Sequence, residues 1–528
     1  MMLNAVDILE RAISFSLDHW VFWLVVVIAI VFWSAAASRR FQSGAKAPHS
    51  RVACAIVVGV SLAASICFAW LHGMPIPQYH DDFAYVLDAD TFAHGRMSNP
   101  THPMWPHFET MHVLHVPRYI SKYPIGEGLT FAAGSLLFGH PLRAVWILGA
   151  AACAAIWWAL RVWTTPALAL LGGIATAVHP TMVEWMESYH GGALAALGGA
   201  LLLAAGKDRK LNAIAAIGVV LLAISRPYEG MVFCLAIGIV LIRRVTVAGA
   251  IIVLAGLAFI CFNNRSITGN PLVLPYSVYE RQYDPAPNFL WEKARPMPNY
   301  RNAEMAFIYR VVYLGQYKRV HAPGGLLDET LKKIDVIDRA VFGPPKIRNP
   351  RPLFLLLLIA AIPLLREDRN ARLIAIILLL FAFAPFSIIW WMQLHYLAPA
   401  SALAACLVML LLRRLFVATP ILGVAILILF FANAGLTWMQ TPDYGFAARR
   451  QQIARSVLAQ GGRHLVIVAP NVFDAVYNGA DLDHAPIVWA RDLGADANAK
   501  LRAYYRDRTV WLLATDGSSG RLRLRQLP

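Results

Sequence analysis

Charge is scarce in this chain. Of its 528 residues only 15% are Asp, Glu, Lys or Arg, while 58% are hydrophobic, and the mean hydropathy is +0.53. A soluble domain of this length needs far more charge on its surface, so the water-soluble globular class is excluded. A disulfide framework is missing too. The six cysteines, Cys54, Cys67, Cys153, Cys234, Cys261 and Cys406, all fall inside apolar blocks, and no zinc-type CxxC spacing occurs among them. No internal repeat and no low-complexity tract interrupts the sequence. A cleavable leader is not expected, because the first apolar block, 20–37, is long and is followed by Arg39 and Arg40, so it reads as an anchor. The net charge of +16 is not gathered into one patch on one soluble domain, which excludes nucleic acid as a partner.

What is abundant is the long apolar block. A hydrocarbon core of ~30 Å needs about 20 residues of helix, and only helices satisfy their own backbone inside lipid when they occur as such blocks. Twelve crossings are predicted, at 20–37, 52–71, 143–160, 166–180, 190–206, 211–225, 227–242, 246–262, 353–365, 371–391, 395–412 and 416–436. The short basic loops test this count. Arg39-Arg40 with Lys46 and Arg51, Arg161, Lys207 to Lys210, Arg243-Arg244, Arg366 to Arg369, and Arg413-Arg414 follow every second crossing. Both termini are therefore expected outside. The apolar stretch 125–139 must then not cross, or every later basic loop would face outward. Three regions are left outside: 72–142, 263–352 and the tail 437–528. In the tail, 464–470, 485–492 and 509–516 read as buried strands and 445–460 and 494–506 as helices, which predicts a small α/β domain. The expected fold class is a polytopic helical membrane domain over 1–436 with a C-terminal α/β domain over 437–528.

The chemistry-bearing residues gather at the outer edge of these blocks. His80-Asp81-Asp82-Phe83-Ala84-Tyr85 opens the first outer loop and begins an amphipathic helix stopped by Gly95, expected to lie on the membrane surface. Asp81 reads as a helix N-cap. A second acid beside it, at the edge of lipid where charge is costly, asks for more. Adjacent acids at such a boundary suit a general base acting on a hydroxyl. The loop closes on Ser121-Lys122-Tyr123-Pro124-Ile125-Gly126, where Lys122 either snorkels or meets an anionic lipid head. His107, His112 and His115 with Glu109 are metal-capable residues, but their spacing matches no zinc pattern and no metal ligand is assigned. Glu187, Tyr189 and His190 stand between crossings 4 and 5, Arg226 and Glu229 between crossings 6 and 7, and His395 and Tyr396 at the start of crossing 11. Each turn reads alone as interfacial anchoring; together they suggest one cavity beneath the first loop. Loop 263–352 carries fourteen Lys/Arg against eight Asp/Glu, a basic surface able to attract lipid phosphates.

These residues, in this order, resemble the GT-C superfamily of membrane glycosyltransferases, in particular the bacterial branch near protein O-mannosyltransferases and the lipid A aminoarabinose transferase, glycosyltransferase family 39. The resemblance rests on the acidic pair and aromatics Asp81-Asp82-Phe83-Ala84-Tyr85, on Gly95-Arg96 at the end of the following helix, on Lys122-Tyr123-Pro124-Ile125-Gly126 at the return to the membrane, and on Tyr396 to Pro399. It spans roughly residues 50–412. The family's usual pair is Asp-Glu and its usual return carries a double proline, and an extra crossing precedes its first helix here. The resemblance implies a sugar on a polyprenyl phosphate as donor, a glycan, lipid or protein hydroxyl as acceptor, inversion at the anomeric carbon, and a bacterial inner membrane with the site on the periplasmic side of the cell envelope. It implies Asp81 as base with Asp82 close behind, and Lys122 and Arg226 as phosphate partners. His80, Tyr85, Arg96, Tyr123, Glu187, Tyr189, His190, Glu229, His395 and Tyr396 are the further cavity candidates. A divalent metal is compatible with this chemistry but not required by it. Two other classes compete. A transporter places its ionisable residues near the bilayer midplane, whereas these spans are almost free of charge. A non-catalytic cell-envelope assembly protein is compatible with the strand-rich tail.

Overall fold

The structure is a computed structural model that describes residues 49–206, 208–241, 245–342, 361–418, 420–516 and 521–528. The first predicted crossing, 20–37, and most of the ninth, 353–365, lie outside the described residues. Among those described, five helices are long and apolar enough to cross a membrane: Ser50–His72, Pro141–Trp163, Val247–Thr268, Arg369–Ser387 and Leu394–Val417. A sixth is formed if Pro166–Ala177 and Pro180–Met186, bent by 54° at their junction, count as one span. The chain is a multi-pass membrane protein.

Helices in chain order are α1 (Ser50–His72), α2 (His80–Ala93), α3 (Ile125–Phe138), α4 (Pro141–Trp163), α5 (Pro166–Ala177), α6 (Pro180–Met186), α7 (Ala193–Ala205), α8 (Asn212–Ser225), α9 (Pro227–Val240) and α10 (Val247–Thr268). Proline stands at the first helical position of α4, α5, α6 and α9, where its missing N–H has no helical partner to lose. The predicted crossings 190–206, 211–225 and 227–242 appear as α7, α8 and α9, of 13, 14 and 14 residues. At 1.5 Å per residue these are about 20 Å long, short of a full hydrocarbon core. The stretch 125–139 forms α3, also 14 residues.

The centre of the bundle is α7, with the sequence ALAALGGALLLAA and all residues buried except Leu201. Small residues let backbones approach closely, which is how helices associate without a hydrophobic drive in lipid. A Cβ at Gly199 would stand 2.0 Å from the Pro399 carbonyl oxygen. That approach holds the 3-10 turn Leu394–Ala400, carrying His395 and Tyr396, against α7.

Over the bundle lies a polar layer. Strands β1 (Asn99–Pro100), β2 (Val113–Leu114) and β3 (Arg118–Ser121) form a small antiparallel sheet in the order β1-β3-β2. The helices Pro275–Tyr283 (α11) and Ala303–Phe307 (α12) come from loop 263–352. The tail forms a four-stranded sheet from β4 (His464–Val468), β5 (Ile487–Arg491), β6 (Thr509–Thr515) and β7 (Leu522–Gln526), in the order β5-β4-β6-β7. Strand β4 is parallel to β5 and β6, and β7 closes the edge antiparallel to β6. Three strands and the helices Gly445–Leu458 and Ala495–Tyr504 stand where the sequence places them. Strand β7 is additional; its alternating LRLRQ is half-exposed and carries no apolar run.

Helix α2 departs from the expectation of a membrane-surface helix. Its Tyr85 and Ala89 join the core of the bundle, while Ala84 and Leu87 pack with Leu465, Ile467, Val488 and Ala490 of the tail. Two buried faces on one short helix place it between bundle and tail. The close approach of α2 to α3 depends on Gly128, where a Cβ would stand 2.5 Å from that of Asp88.

Candidate functional site

A cavity of about 890 Å³ opens between the bundle and the polar layer. Of the residues singled out from sequence, Asp81, Tyr85, Lys122, Tyr123, His190, Arg226, Glu229, His395 and Tyr396 line it. They come from the start of α2, the return after β3, the turn before α7, the α8–α9 junction and the 3-10 turn.

The acidic pair divides its labour. Asp82, not Asp81, serves the helix start: its Oδ2 accepts from the Gln78 and Tyr79 N–H groups at 2.7 and 3.2 Å. Its Oδ1 meets His190 Nδ1 at 2.8 Å, and the side chain is almost fully buried. Residue N3 of a helix can reach back to the N–H before it, and here Tyr79 is the N-cap. Asp81 is thereby released from capping. Its side chain is 37% exposed, into the cavity, with His112 Nε2 3.9 Å from Oδ1 and the Tyr123 hydroxyl donating to the same oxygen. Burial alone would push the Asp81 carboxyl up; His112, His190, the Tyr123 hydroxyl and Lys122 outweigh it and hold the group well below the usual carboxylate range.

Lys122 is buried with its ammonium among three rings, 4.3 Å from the centroid of Tyr276, 4.9 Å from Tyr279 and 5.3 Å from Tyr123. Burial lowers its pKa, while Glu280, Asp284 and Asp81 act in the opposite sense. Arg226 donates to the His190 carbonyl at 3.3 Å and lies 5.4 Å from the Tyr396 ring. Tyr85 stacks on Tyr123 at 4.7 Å, and His395 lies 5.8 Å from the ring of His190. These residues bring an anionic oxygen, two cations and hydroxyl-bearing rings together on the cavity wall.

Five expected residues do not line it: Asp82, held at the start of α2, and four others. Glu187 and Tyr189 are buried behind the wall, Tyr189 against Phe131 at 5.3 Å. Arg96 lies beyond the far end of α2, where its charge acts on Asp481 of the tail. His80 turns away, with Nδ1 bonded to the Tyr477 hydroxyl and Nε2 2.6 Å from Asp474 Oδ1. The histidines weighed for metal binding are dispersed. His107 Nδ1 bonds the Arg491 carbonyl, His115 stacks on Tyr119, and Glu109 is taken by Tyr283, Arg301 and Asn302.

Loop 263–352 supplies a wall that sequence reasoning did not assign: Tyr276, Glu280, Asp284, Asn288, Arg295 and Tyr313. It is net basic, yet it turns two acids toward Lys122. Burial pushes Glu280 up against the pull of Lys122, and pushes Asp284 up to about 7. The only signal in the sequence is the helical spacing of Tyr276, Glu280 and Asp284, which places them on one side of α11 and its exit.

No protein-family model matches the chain, and no curated protein does. Solved structures do. The Archaeoglobus fulgidus oligosaccharyltransferase in complex with Zn and sulfate is similar at a TM-score of 0.48 and 13% identity, over 87% of this chain and 68% of that one. The same enzyme tethered to an acceptor peptide with the NVT sequon matches at 0.47 and 11%, over 88% and 69%. The archaeal oligosaccharyltransferase AglB from that organism, with an inhibitory peptide and a dolichol-phosphate, matches at 0.42 and 10%, over 88% and 69%.

Proposed function

We propose that this chain is an inverting glycosyltransferase that moves a sugar from a polyprenyl-phosphate donor to a hydroxyl acceptor at the outer face of a bacterial inner membrane. Twelve crossings, with both termini and the tail 437–528 in the periplasm, are part of this reading. The observation that carries it is one cavity holding a partly open Asp81 together with Lys122 and Arg226. The acceptor oxygen attacks the anomeric carbon and its proton passes to the Asp81 carboxylate. The bond from that carbon to the phosphate oxygen breaks on the opposite side, and the polyprenyl phosphate leaves as an anion. Cations placed beforehand stabilise that developing charge without reorganisation. Glu280 and Asp284 are placed to accept hydrogen bonds from sugar hydroxyls. Ile260 of α10 is part of the lining, and the same helix exposes Ile251, Leu254, Leu257 and Phe262, an apolar side for the prenyl chain.

The test is transfer of a labelled sugar from a polyprenyl-phosphate donor by the purified protein. Lys122→Ala and Arg226→Ala each remove a charge-assisted partner worth about 1.5–3 kcal/mol, so turnover falls by roughly 10- to 150-fold. Wild-type kinetics in both variants would reduce these residues to anchors and remove the phosphate site from the reading.

A further inference from the structure

Away from the cavity, three segments far apart in sequence bring their donor atoms to one point. His80 opens α2, Glu304 lies in α12, and Asp474 follows β4 in the tail. One ligand atom from each lies within 4.8 Å of the other two. We infer that His80, Glu304 and Asp474 form a binding site for one divalent first-row transition ion, Zn²⁺ or Mn²⁺, that clamps the tail to the two outer loops.

The support is the state of each donor. A ligating imidazole has its second ring nitrogen held by an outer partner, which fixes the ring and the tautomer. His80 has this arrangement: Nδ1 is bonded to the Tyr477 hydroxyl, and Nε2 points to the cluster, 2.6 Å from Asp474 Oδ1. Glu304 is 1% exposed, and its carboxylate is oriented by Arg491 at 2.7 Å and by the Asp474 N–H at 3.2 Å. Asp474 adopts a left-handed backbone, φ 61°, uncommon for a residue with a side chain. In that conformation its N–H reaches Glu304 while its carboxylate meets His80. Its side chain is 45% exposed, which gives an ion an entry path and room for water ligands.

One nitrogen and two carboxylates suit zinc or manganese. Magnesium favours oxygen donors throughout. Two carboxylates and a neutral imidazole carry −2, and Arg491 offsets one charge, so −1 remains to receive a dication. None of the three residues lines the cavity. The ion is therefore a clamp on the element that carries Asp81, outside the path of the sugar, and it does not depend on the proposed reaction.

The experiment uses the full-length protein in detergent, stripped with EDTA and titrated with ZnCl₂ or MnCl₂ alone. Bound metal is measured by mass spectrometry and calorimetry, with no activity assay. The expected result is one retained equivalent and a higher unfolding temperature when metal is bound. Asp474→Asn, at a half-exposed position, weakens binding at least tenfold, and Tyr477→Phe weakens it by roughly 10- to 100-fold through the outer partner. Asp81→Asn, which removes a nearby charge but no ligand, weakens binding less than Asp474→Asn does. Absence of saturable binding overturns the inference and leaves His80 as the cationic centre of an ion-pair network. Binding lost in Asp81→Asn but kept in Asp474→Asn overturns it as well, because it moves the ion into the cavity.

Discussion

In the bundle, α7 contacts its neighbours through alanine, glycine and leucine, and the distance that matters is a backbone approach at Gly199. In the layer above, the Arg491 side chain bonds Glu304 and the Glu109 carbonyl, while its own carbonyl meets His107. The first region is held by shape, the second by directed polar bonds. The contrast follows from solvent. Lipid offers no partner to a stray polar group, so polar groups are kept out of the spans. The polar layer admits charges and encloses Glu109, Glu304 and Arg491, which makes their pairing strong. The charged residues that line the cavity collect where these two regimes meet, around Asp81.

The largest expected effect tests that boundary. Asp81→Asn removes the proton acceptor while Asp82 still caps α2, so turnover falls by roughly 10²–10⁴-fold; the lost pairing with His112 and Lys122 lowers the unfolding temperature, but the fold persists. Asp82→Asn keeps an acceptor for the Gln78 and Tyr79 N–H groups and loses only the His190 pairing; its effect on turnover is milder. Equal turnover in both variants and in the wild type would place the acids in the layer's scaffold.

Breaking the polar layer itself comes next. Arg491→Ala leaves Glu304 buried without its cation, a change worth about 3–5 kcal/mol, read as a fall in unfolding temperature. If stability holds, the layer is packed like the bundle and the contrast fails. Asp284 gives the pH dependence. Its folded pKa, raised to about 7, lies above its unfolded value, so its contribution to stability is full in acid and is lost as pH rises through 7. Asp284→Asn should flatten that decline between about pH 4 and 7; an unchanged profile assigns the decline to other groups.

The bundle has its own probe. Gly199→Ala puts a methyl against the Pro399 carbonyl oxygen, and overpacking of this kind costs about 1–3 kcal/mol. It should also shift His395 and Tyr396, so sugar transfer falls with stability; a stable variant with wild-type transfer would show slack where none is expected. The smallest effect is at the tail surface. Arg463 meets Asp507 at 3.1 Å with both side chains about half exposed. Arg463→Ala should cost no more than about 1 kcal/mol, and a loss as large as that of Arg491→Ala would erase the distinction between exposed and enclosed pairs.

Much of this was legible in the sequence because the signals are local. Long apolar blocks appear as α1, α4, α10 and Arg369–Ser387, and the strands β4, β5 and β6 stand where apolar runs meet turn residues. The site was half legible. Nine of the expected residues reach one cavity because turns at the ends of neighbouring spans share a level. Arg96 and His80 do not, because helix periodicity and the docked tail turn them elsewhere. The wall from loop 263–352 stayed hidden, since a net count of basic residues says nothing about which way Glu280 and Asp284 face.

The sequence by itself determined a multi-pass helical membrane protein with a mixed α/β tail, because hydropathy and strand pattern act over a few residues at a time. It also supplied the acidic pair at the head of α2. Only the tertiary structure decided which acid caps the helix and which meets the cavity, and that α2 is buried on both faces. It alone brought Glu304 and Asp474 beside His80, residues separated by hundreds of positions. Contacts of that range depend on how the chain closes on itself, and no local pattern of side chains encodes them.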